Sequence, residues 1–347
     1  MSPSEISTWF SRRTSSSADW PADSAMAAKG GTRISVVLPA QNEEETVGEI
    51  VRTIRRALME RVPLVDELVV IDSRSSDDTA LVATAAGATV VAQDDVLPAL
   101  PPLSGKGEAL WKSLAVTTGD VVVFVDADLR NFSPHFVTGL VGPLLADPSL
   151  AYVKACYDRP LIEGGPDGGP DGGPDGDSGT GGCASAPTDG GRVTELVARP
   201  LLNMCWPELA GFMQPLAGEY AGRRSVLESV PFVCGYGVEL GLLVDLVEKV
   251  GLDGIAQVDL GIREHSHQST AALGRMAAQI IDTAWSRLHR RGLVSMDEPP
   301  STELVQFSRT AGGYRPLRYD AQVPERPPMV EVLRADPRPV PSGEVDR

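Results

Sequence analysis

Short apolar runs alternate with helix-like segments through the first half of the chain, and this alternation constrains the fold more than any other feature. The runs occupy Ile34–Ala40, Glu67–Asp72, 88–92 and 121–125. Their length and their apolar, β-branched composition are typical of buried strands. Strands that alternate with helices form a mostly parallel sheet with helices on both faces. The sequence therefore predicts an α/β fold.

Periodicity and capping residues mark the helices between these strands. Asn42 is a candidate N-cap, with Glu45 three residues later as in a capping box. Val47, Ile50 and Ile54 then recur at helical spacing. Further helices are expected near 77, after 107, from about 194, from about 237 and over 270–289, with another strand over 255–260. The Pro-rich segment from 316 is expected to be a tail or strap.

Chain length and one abrupt change in composition define the domain organisation. At 347 residues the chain is near the upper limit for one hydrophobic core, so one large domain with embellishments is expected. Gly-Gly-Pro-Asp occurs three times in tandem over 164–175, a composition that cannot form a core. The expected parts are a partly disordered N-terminal extension (1–32), a first half-domain (33–160), a disordered insertion (161–191), a second half of the same domain (192–292) and a C-terminal tail (293–347).

Two carboxylates follow the strand at 121–125. Asp126 and Asp128 lie at the carboxyl end of this strand, which is where parallel sheets bind ligands. Hard carboxylate oxygens suit Mg²⁺ or Mn²⁺, which can bridge to a diphosphate. Ordinary loop acids are the alternative, but polar clusters at 41–43 and 72–75 also fall at strand ends. The sequence therefore favours a divalent-cation site.

Lys106 and Arg192 are candidates for binding an anion. Lys106 lies between two glycines just before a helix, where its ammonium can meet a phosphate while the glycines permit close approach of the backbone. The segment is not a Walker A loop, and a solvated loop lysine is the alternative. Arg192 and Thr194 open a helix whose N-terminus attracts anions, although Thr194 can equally be a simple cap.

A second polar cluster follows the strand at 255–260. It contains Arg263, Glu264, His265 and His267. A neutral imidazole can complete a metal shell and a guanidinium can pair with a phosphate, although a solvent-facing loop is as compatible with these residues. Tyr236, between two glycines at the start of a helix, is either a hydrogen-bonding group or part of the core.

Charge, cysteine content and hydropathy limit the class of protein. The formal net charge of −16 argues against nucleic-acid binding, which requires a basic surface. The four cysteines are scattered without a CxxC pair, so a reducing compartment is favoured over a disulfide framework. No segment resembles a signal peptide or a membrane span. We therefore expect a soluble, cytoplasmic protein.

Several motifs together resemble known glycosyltransferases. Four motifs in the first half are similar to those of GT-A glycosyltransferases. They are Val-Val-Leu-Pro-Ala-Gln-Asn-Glu-Glu-Glu-Thr from 36, Asp-Ser-Arg-Ser-Ser-Asp-Asp-Thr from 72, Gly-Lys-Gly-Glu-Ala-Leu-Trp from 105 and Phe-Val-Asp-Ala-Asp from 124. Those in the second half resemble the actinobacterial glucosyl-3-phosphoglycerate synthase family, and they are Gly-Gly-Arg-Val-Thr-Glu-Leu-Val-Ala-Arg-Pro-Leu-Leu from 190, Gln-Pro-Leu-Ala-Gly-Glu-Tyr-Ala from 214 and Gly-Tyr-Gly-Val-Glu-Leu-Gly-Leu-Leu from 235.

The resemblance implies a GT-A Rossmann-like fold whose first half binds the nucleotide sugar and whose second half binds the acceptor. It implies transfer of glucose from UDP-glucose to D-3-phosphoglycerate with retention, with Mg²⁺ or Mn²⁺ as cofactor and a homodimer as the assembly. The implied nucleotide-sugar site is Pro39, Ala40, Glu43, Ser73, Lys106 and Asp126, and the implied metal ligands are Asp128 and His265. The implied acceptor site is Gly191, Arg192, Thr194 and Tyr236. Near the reacting atoms the resemblance places Glu239 at the glucose, the Leu216 carbonyl at the reacting carbon and Arg263 at the phosphates.

The chain departs from the family pattern at Gln41, Arg74, Ala127 and His267. Two rival functions stay open on the sequence. One is a related GT-A transferase, such as a mannosyltransferase acting on glycerate or on polyprenyl phosphate. The other is a sugar-nucleotide sensor that binds the donor without turnover.

Overall fold

The computed structural model describes residues 3–158, 191–264, 269–295, 297, 300–310 and 312–335. Its strands are β1 (Thr14–Ser16), β2 (Ile34–Ala40), β3 (Glu67–Asp72), β4 (Thr89–Ala92), β5 (Val121–Phe124), β6 (Tyr152–Asp158), β7 (Tyr220–Arg223), β8 (Phe232–Val233), β9 (Ile255–Ile262), β10 (Glu303–Thr310), β11 (Gly313–Asp320) and β12 (Glu325–Arg326). Its α-helices are α1 (Pro3–Arg13), α2 (Ala22–Lys29), α3 (Val47–Ile54), α4 (Thr79–Ala86), α5 (Lys106–Val116), α6 (His135–Ala146), α7 (Arg199–Cys205), α8 (Arg224–Leu227), α9 (Val238–Val250), α10 (Thr270–Arg290) and α11 (Met329–Ala335). One π-helical turn, Arg55–Arg61, follows α3, and another, Thr194–Ala198, precedes α7.

Eight strands of the described residues form one central sheet in the order β1-β9-β6-β7-β5-β2-β3-β4. The pairs β2·β3, β2·β5, β3·β4, β6·β9 and β1·β9 are parallel, whereas β7 runs antiparallel to β5 and β6. The prediction of a mostly parallel α/β sheet is confirmed.

Both faces of this sheet are covered. Val36 and Leu38 of β2 pack into one core cluster, and Val37, between them, packs into the other. Successive side chains of a strand point to opposite faces, so a strand buried on both sides must be apolar throughout. This explains why β2, β3 and β5 are continuous apolar runs in the sequence rather than alternating ones.

The expected N-cap at Asn42 is wrong. The helix α3 begins at Val47 after Thr46, and Asn42 adopts a left-handed conformation with a φ of 59°. The Asn42 Oδ1 accepts a hydrogen bond of 2.8 Å from the backbone N–H of Ser76. Asn42 therefore stabilises a turn between two strand ends instead of starting a helix, because an Asn side chain tolerates this conformation better than most residues do.

The N-terminal residues expected to be a partly disordered extension are instead part of the domain from Pro3 onward. Strand β1 pairs with β9 in the central sheet, and Trp9 of α1 is 2% exposed. The strand β1 has the sequence Thr-Ser-Ser, which carries no apolar signal, so its pairing depends on tertiary context.

The segment after 316 is not a simple tail. Strands β10 and β11 form an antiparallel hairpin that contains Pro316, and β12 pairs with β8 before α11 begins. Residues 161–190 of the expected disordered insertion (161–191) lie outside the described residues, as do 159–160 and the final segment 336–347.

Candidate active site

A cleft of about 650 Å³ opens at the carboxyl ends of β2, β3 and β5. Every predicted site residue that the structure describes lines this cleft. These residues are Pro39, Ala40, Glu43, Ser73, Lys106, Asp126, Asp128, Gly191, Arg192, Thr194, Leu216, Tyr236, Glu239 and Arg263. Helix α10 contributes Leu273, Met276 and Gln279 to the same cleft. Residues distant in the sequence thus meet in one cavity, where parallel α/β sheets bind their ligands.

Lys106 is held between two carboxylates at the centre of the cleft. Its Nζ lies 2.5 Å from Asp126 Oδ1 and 2.9 Å from Glu239 Oε1. Burial opposes the charged form of Lys106, but Asp126 and Glu239 outweigh burial and raise the pKa of this ammonium above its usual value. Lys106 is therefore a fixed positive charge beside Asp126 of the Asp-x-Asp motif.

The glycines on either side of Lys106 serve chain packing. The Gly107 N–H donates to the Cys234 carbonyl at 2.9 Å, and a Cβ at Gly107 would lie 1.8 Å from the Val233 carbonyl oxygen. Gly105 has a φ of 111° and also contacts Cys234. The sequence interpretation assigned both glycines to close approach by a phosphate, whereas the structure shows close approach by the backbone at β8.

Arg263 connects the two aspartates of the Asp-x-Asp motif. Its Nη2 donates to Asp126 Oδ2 at 2.9 Å and to Asp128 Oδ1 at 3.0 Å, while its Nε donates to Glu219 Oε1 at 3.1 Å. The Tyr157 hydroxyl donates to the other Glu219 oxygen at 2.7 Å. The guanidinium is 4% exposed, so this arrangement is a buried charge network in which Glu219 orients Arg263.

Three carboxylates, those of Glu43, Asp126 and Asp128, lie close together around the predicted metal ligand Asp128. Burial raises the pKa of Glu43 to about 7, and Asp128 and Asp126 act in the same direction. Burial and Asp126 also raise the pKa of Asp128, although Arg263 opposes them. Carboxylates whose anionic forms are disfavoured in this way are stabilised when a cation binds beside them.

The donor set of the described residues fits a hard divalent cation. Asp126 and Asp128 converge on one guanidinium nitrogen, and carboxylate oxygens are the ligands that Mg²⁺ and Mn²⁺ prefer. Within the described residues no three His, Cys, Asp or Glu side chains surround one point. The predicted ligand His265 and its neighbour His267 lie outside the described residues, as part of the segment 265–268.

The predicted acceptor residues form the other side of the cleft. Gly191 has a φ of 92° and precedes the helical segment that contains Arg192 and Thr194. The Arg192 Nη1 lies 3.4 Å from the Thr270 hydroxyl at the first residue of α10. Tyr236 is 45% exposed, which excludes the alternative of a core tyrosine, and its backbone N–H donates to Gln279 Oε1 at 2.9 Å. This side of the cleft therefore combines a guanidinium with hydroxyl groups, a set suited to an anionic ligand.

Two features of the site were not predicted from the sequence. Glu219, which orients Arg263, is fully buried and immediately precedes β7, and the sequence marked it only as one residue of the motif from 214. Arg74 has a φ of 62°, and its Nε and Nη2 contact the Asp94 carboxylate at 2.7 and 2.8 Å. The Arg74 Nη1 also donates to Ser104 at 2.8 Å, so this departure from the family pattern braces the loop that leads to Lys106.

Among the residues that the structure describes, no helix combines the length and apolar character needed to cross a membrane.

Comparison with known proteins gives consistent similarities. Residues 35–163 match the glycosyl transferase family 2 profile. The glucosyl-3-phosphoglycerate synthase of Mycolicibacterium paratuberculosis is 47% identical over 93% of this chain and 91% of its own. The solved mannosyl-3-phosphoglycerate synthase of Rubrobacter xylanophilus superposes with a TM-score of 0.82 at 38% identity, covering 94% of this chain and 99% of that one. The glucosyl-3-phosphoglycerate synthase of Mycobacterium tuberculosis, solved with Mn²⁺, UDP and phosphoglyceric acid, has a TM-score of 0.75 at 43% identity, with 90% and 95% coverage.

The sheet order, the Asp-x-Asp motif at the end of β5 and the family 2 match define a GT-A glycosyltransferase. Glucosyl-3-phosphoglycerate synthases that are more than 40% identical to this chain over most of its length narrow the assignment from GT-A glycosyltransferases to one family. The chain belongs to the glucosyl-3-phosphoglycerate synthase family.

Proposed function

We propose that this enzyme transfers glucose from UDP-glucose to D-3-phosphoglycerate and releases UDP. The observation that carries the proposal is the single cleft, which contains the expected donor residues around Lys106 and the expected acceptor residues around Arg192. Family membership supports the same reaction, because the glucosyl-3-phosphoglycerate synthase of Mycobacterium tuberculosis was solved with UDP-glucose and phosphoglyceric acid together.

On the donor side, Pro39, Ala40 and Ser73 hold the uridine, and Glu43 lies beside them. Lys106 and Asp126 lie closer to the centre of the cleft, where the diphosphate and the sugar meet. The Lys106 ammonium neutralises part of the diphosphate charge, and Asp126 keeps that ammonium in place through the 2.5 Å contact. Glu239, paired with the same ammonium, accepts hydrogen bonds from glucose hydroxyls.

Asp128 and His265 hold a divalent cation, Mg²⁺ or Mn²⁺. The cation supplies charge neutralisation for the departing diphosphate when it is bound. Arg263 lies beside both aspartates and contributes a second, permanent positive charge at the phosphates.

On the acceptor side, Arg192 and Thr194 bind the anionic groups of phosphoglycerate, with Gly191 allowing the turn and Tyr236 donating a hydrogen bond. These local groups bind an anion despite the formal net charge of −16, because the field in a cleft depends on its lining rather than on the whole molecule.

We infer a front-face mechanism with retention of the anomeric configuration. The bond from the sugar carbon to the diphosphate oxygen breaks, and the acceptor hydroxyl attacks from the same face. The leaving diphosphate oxygen takes the proton of that hydroxyl, while the Leu216 carbonyl faces the positively charged sugar carbon. A covalent glucosyl adduct trapped on Glu239 would contradict this mechanism.

Mannosyl transfer to the same acceptor is the second candidate. It is favoured by the TM-score of 0.82 to the Rubrobacter mannosyl-3-phosphoglycerate synthase, which exceeds the 0.75 to the mycobacterial glucosyl enzyme. The two candidates share the fold and the acceptor, so they differ only in the nucleotide sugar.

We also propose a cytoplasmic location and a homodimeric assembly. Cys156 and Cys234 are free and buried, as expected for a protein kept in a reducing compartment. The homodimer is an expectation from the family, and sedimentation of the purified protein tests it.

Release of UDP from UDP-glucose in the presence of Mg²⁺, with and without D-3-phosphoglycerate, tests the proposed function. We expect release that depends on the acceptor and is abolished in Asp128→Ala. Asp23→Ala, which removes an exposed acid of α2, is the matched control and should behave as wild type. Donor binding without release would favour a sensor, and release only from GDP-mannose would favour the mannosyl candidate.

A further inference from the structure

Lys154 is a fully buried lysine that has no place in the proposed chemistry. It lies in the middle of β6, a strand that is otherwise apolar up to Tyr157. In the sheet register it stands beside Tyr220 of β7 on one side and Gln257 of β9 on the other. Lys154 and Gln257 therefore present two polar side chains at the same level of one sheet face.

Burying this ammonium is unfavourable, and its contacts are few. Its Nζ donates to the Ala217 carbonyl at 2.9 Å and lies 4.8 Å from the centre of the Tyr220 ring. Burial lowers the pKa of Lys154 to about 7. A methionine or leucine would fill such a position in a sheet core without this cost, so the hydrogen bond to Ala217 is the feature that calls for an explanation.

Ala217 belongs to the segment 211–218, which forms the floor of the cleft. Gln257 holds the beginning of this segment, because its Oε1 accepts from the Met213 N–H and its Nε2 donates to the Gly211 carbonyl, both at 3.0 Å. Lys154 holds the end of the segment. Two neighbouring strands thus fix both ends of one irregular stretch of backbone.

The end of the segment at Ala217 and Gly218 lies against Asp126 and Lys106 in the cleft. Leu216 and Gly218 both line the cleft. A Cβ at Gly218 would lie 2.2 Å from Asp126 Oδ2 and 2.4 Å from Lys106 Nζ, so the backbone there has no room to shift toward these groups. The Ala217 carbonyl belongs to the peptide that links Ala217 to Gly218, next to the peptide that carries the Leu216 carbonyl, so a rotation of the first peptide would shift the second and disturb the Asp126–Lys106 pair.

We propose that Lys154 is a positioning residue which, through its hydrogen bond to the Ala217 carbonyl, fixes the orientation of the Leu216 carbonyl at the reacting sugar carbon. This role rests on the proposed function, which places the Leu216 carbonyl at that carbon. A misoriented carbonyl weakens stabilisation of the transition state more than it weakens binding of either substrate.

The test compares Lys154→Met with Lys29→Met. Lys29 is also buried, and its Nζ donates to the Pro63 carbonyl at 3.1 Å and pairs with Asp66 Oδ2 at 2.9 Å, but it belongs to α2 and does not line the cleft. We expect Lys154→Met to lower kcat by about 10- to 100-fold, as expected for small misplacements of catalytic groups. The KM values for donor and acceptor should change by less than about threefold, since ground-state binding is kept. Lys29→Met should keep the wild-type kcat.

Hydrogen exchange gives a readout that does not depend on activity. The amides of 216–219 should exchange at least about tenfold faster in Lys154→Met than in wild type, because their local structure is loosened. They should exchange at the wild-type rate in Lys29→Met. An unchanged kcat with unchanged exchange would overturn the proposal, as would a raised donor KM at unchanged kcat. If the wild type transfers no glucose, the proposed function fails, and the exchange comparison still decides whether Lys154 holds this segment.

Discussion

Arg263 is the residue on which the charge balance of the cleft depends most. It is 4% exposed and contacts Glu219, Asp126 and Asp128. Burial opposes its charge, but Glu219 and its other partners raise the pKa of Arg263 well above the usual value. Without the guanidinium, three carboxylates would face one another in a partly buried space.

Arg263→Met should therefore destabilise the metal-free protein by about 3–5 kcal/mol, the usual cost of removing one partner of a buried charge network. Added Mg²⁺ should raise its melting temperature more than it raises that of wild type, because the cation replaces part of the missing positive charge. Arg223→Met is the matched control, since Arg223 of β7 donates to the backbone carbonyls of Leu150 and Leu144. An equal Mg²⁺ effect in all three proteins would show that the cation binds away from these aspartates.

Glu43 makes the stability of the metal-free protein depend on pH. The pKa of Glu43 is about 7 in the folded protein against 4.5 for an ordinary glutamate, so the folded state binds this proton more tightly. The stability that Glu43 contributes is therefore fully present below pH 4.5 and is lost as the pH rises through about 7. Glu43→Gln cannot ionise, so its melting temperature relative to wild type should increase over this interval. Thermal unfolding in chelator at several pH values measures this difference, and a constant difference would refute it.

The sequence predicted these residues unevenly, for physical reasons. Asp126 and Asp128 were found because they follow a strong strand signal. Lys106 was found because a glycine lies on each side of it. Glu219, Tyr157 and Lys154 were missed, because an isolated polar residue in an apolar run does not show what it contacts across the sheet. Their partners are far away in sequence, and only the fold brings them together.

Among the elements, the segment from β12 to α11 has the clearest structural role. Arg326 donates to both oxygens of the fully buried Glu108 at 2.7 Å and lies over the Trp111 ring at 5.2 Å. The Trp111 Nε1 donates to the Pro327 carbonyl at 2.8 Å. This segment therefore ties the start of α5, and with it Lys106, to the rest of the domain.

Arg326→Met should lower stability by about 3–5 kcal/mol, because it leaves Glu108 buried without its main partner. Arg318→Met removes an ion pair with Glu303 whose side chains are 66% and 48% exposed, so solvent screens the pair and the loss of stability should be much smaller. Urea unfolding of the two variants provides the comparison. Similar losses in both would mean that the Arg326–Glu108 pair does not anchor this segment.

A substitution at Gly218 tests how closely the segment 211–218 packs against Asp126 and Lys106. Gly218→Ala places a methyl group where Asp126 and Lys106 now lie, so we expect loss of UDP-glucose binding by at least about tenfold, from displacement of groups in the proposed donor site. Gly31→Ala is the control, since a Cβ there meets nothing within 4 Å. Calorimetric titration with UDP-glucose measures both, and wild-type affinity in Gly218→Ala would show that the cleft accommodates the methyl group.

At the level of elements, sequence patterns predicted much of the central layers, although they did not identify the central strands β6 and β7 or the helix α6. The strands β2, β3 and β5 were identified because burial on both faces requires continuous apolar runs. Strand β1 and the hairpin of β10 and β11 were missed. The first has no apolar residue, and the second is largely exposed, so neither carries the hydrophobic signal on which such predictions depend.

Considered as a whole, the molecule combines a strongly acidic chain with a site for anionic substrates. The formal net charge is −16, yet Lys106, Arg192 and Arg263 all lie in the cleft. The central sheet makes this possible, because the carboxyl ends of β2, β3 and β5 bring distant segments together. The mannosyl-3-phosphoglycerate synthase of Rubrobacter xylanophilus has a similar fold, so the fold alone does not identify the sugar.

The central claim is transfer of glucose to D-3-phosphoglycerate in this one cleft, and product analysis tests it most directly. The purified protein would be incubated with Mg²⁺, D-3-phosphoglycerate and either UDP-glucose or GDP-mannose, and the products identified by mass spectrometry and by the proton NMR signal of the anomeric proton. We expect glucosyl-3-phosphoglycerate with the α configuration of the donor, and no such product from Arg192→Ala. Mannosyl-3-phosphoglycerate alone, a β-linked product, or free glucose without acceptor transfer would contradict the account.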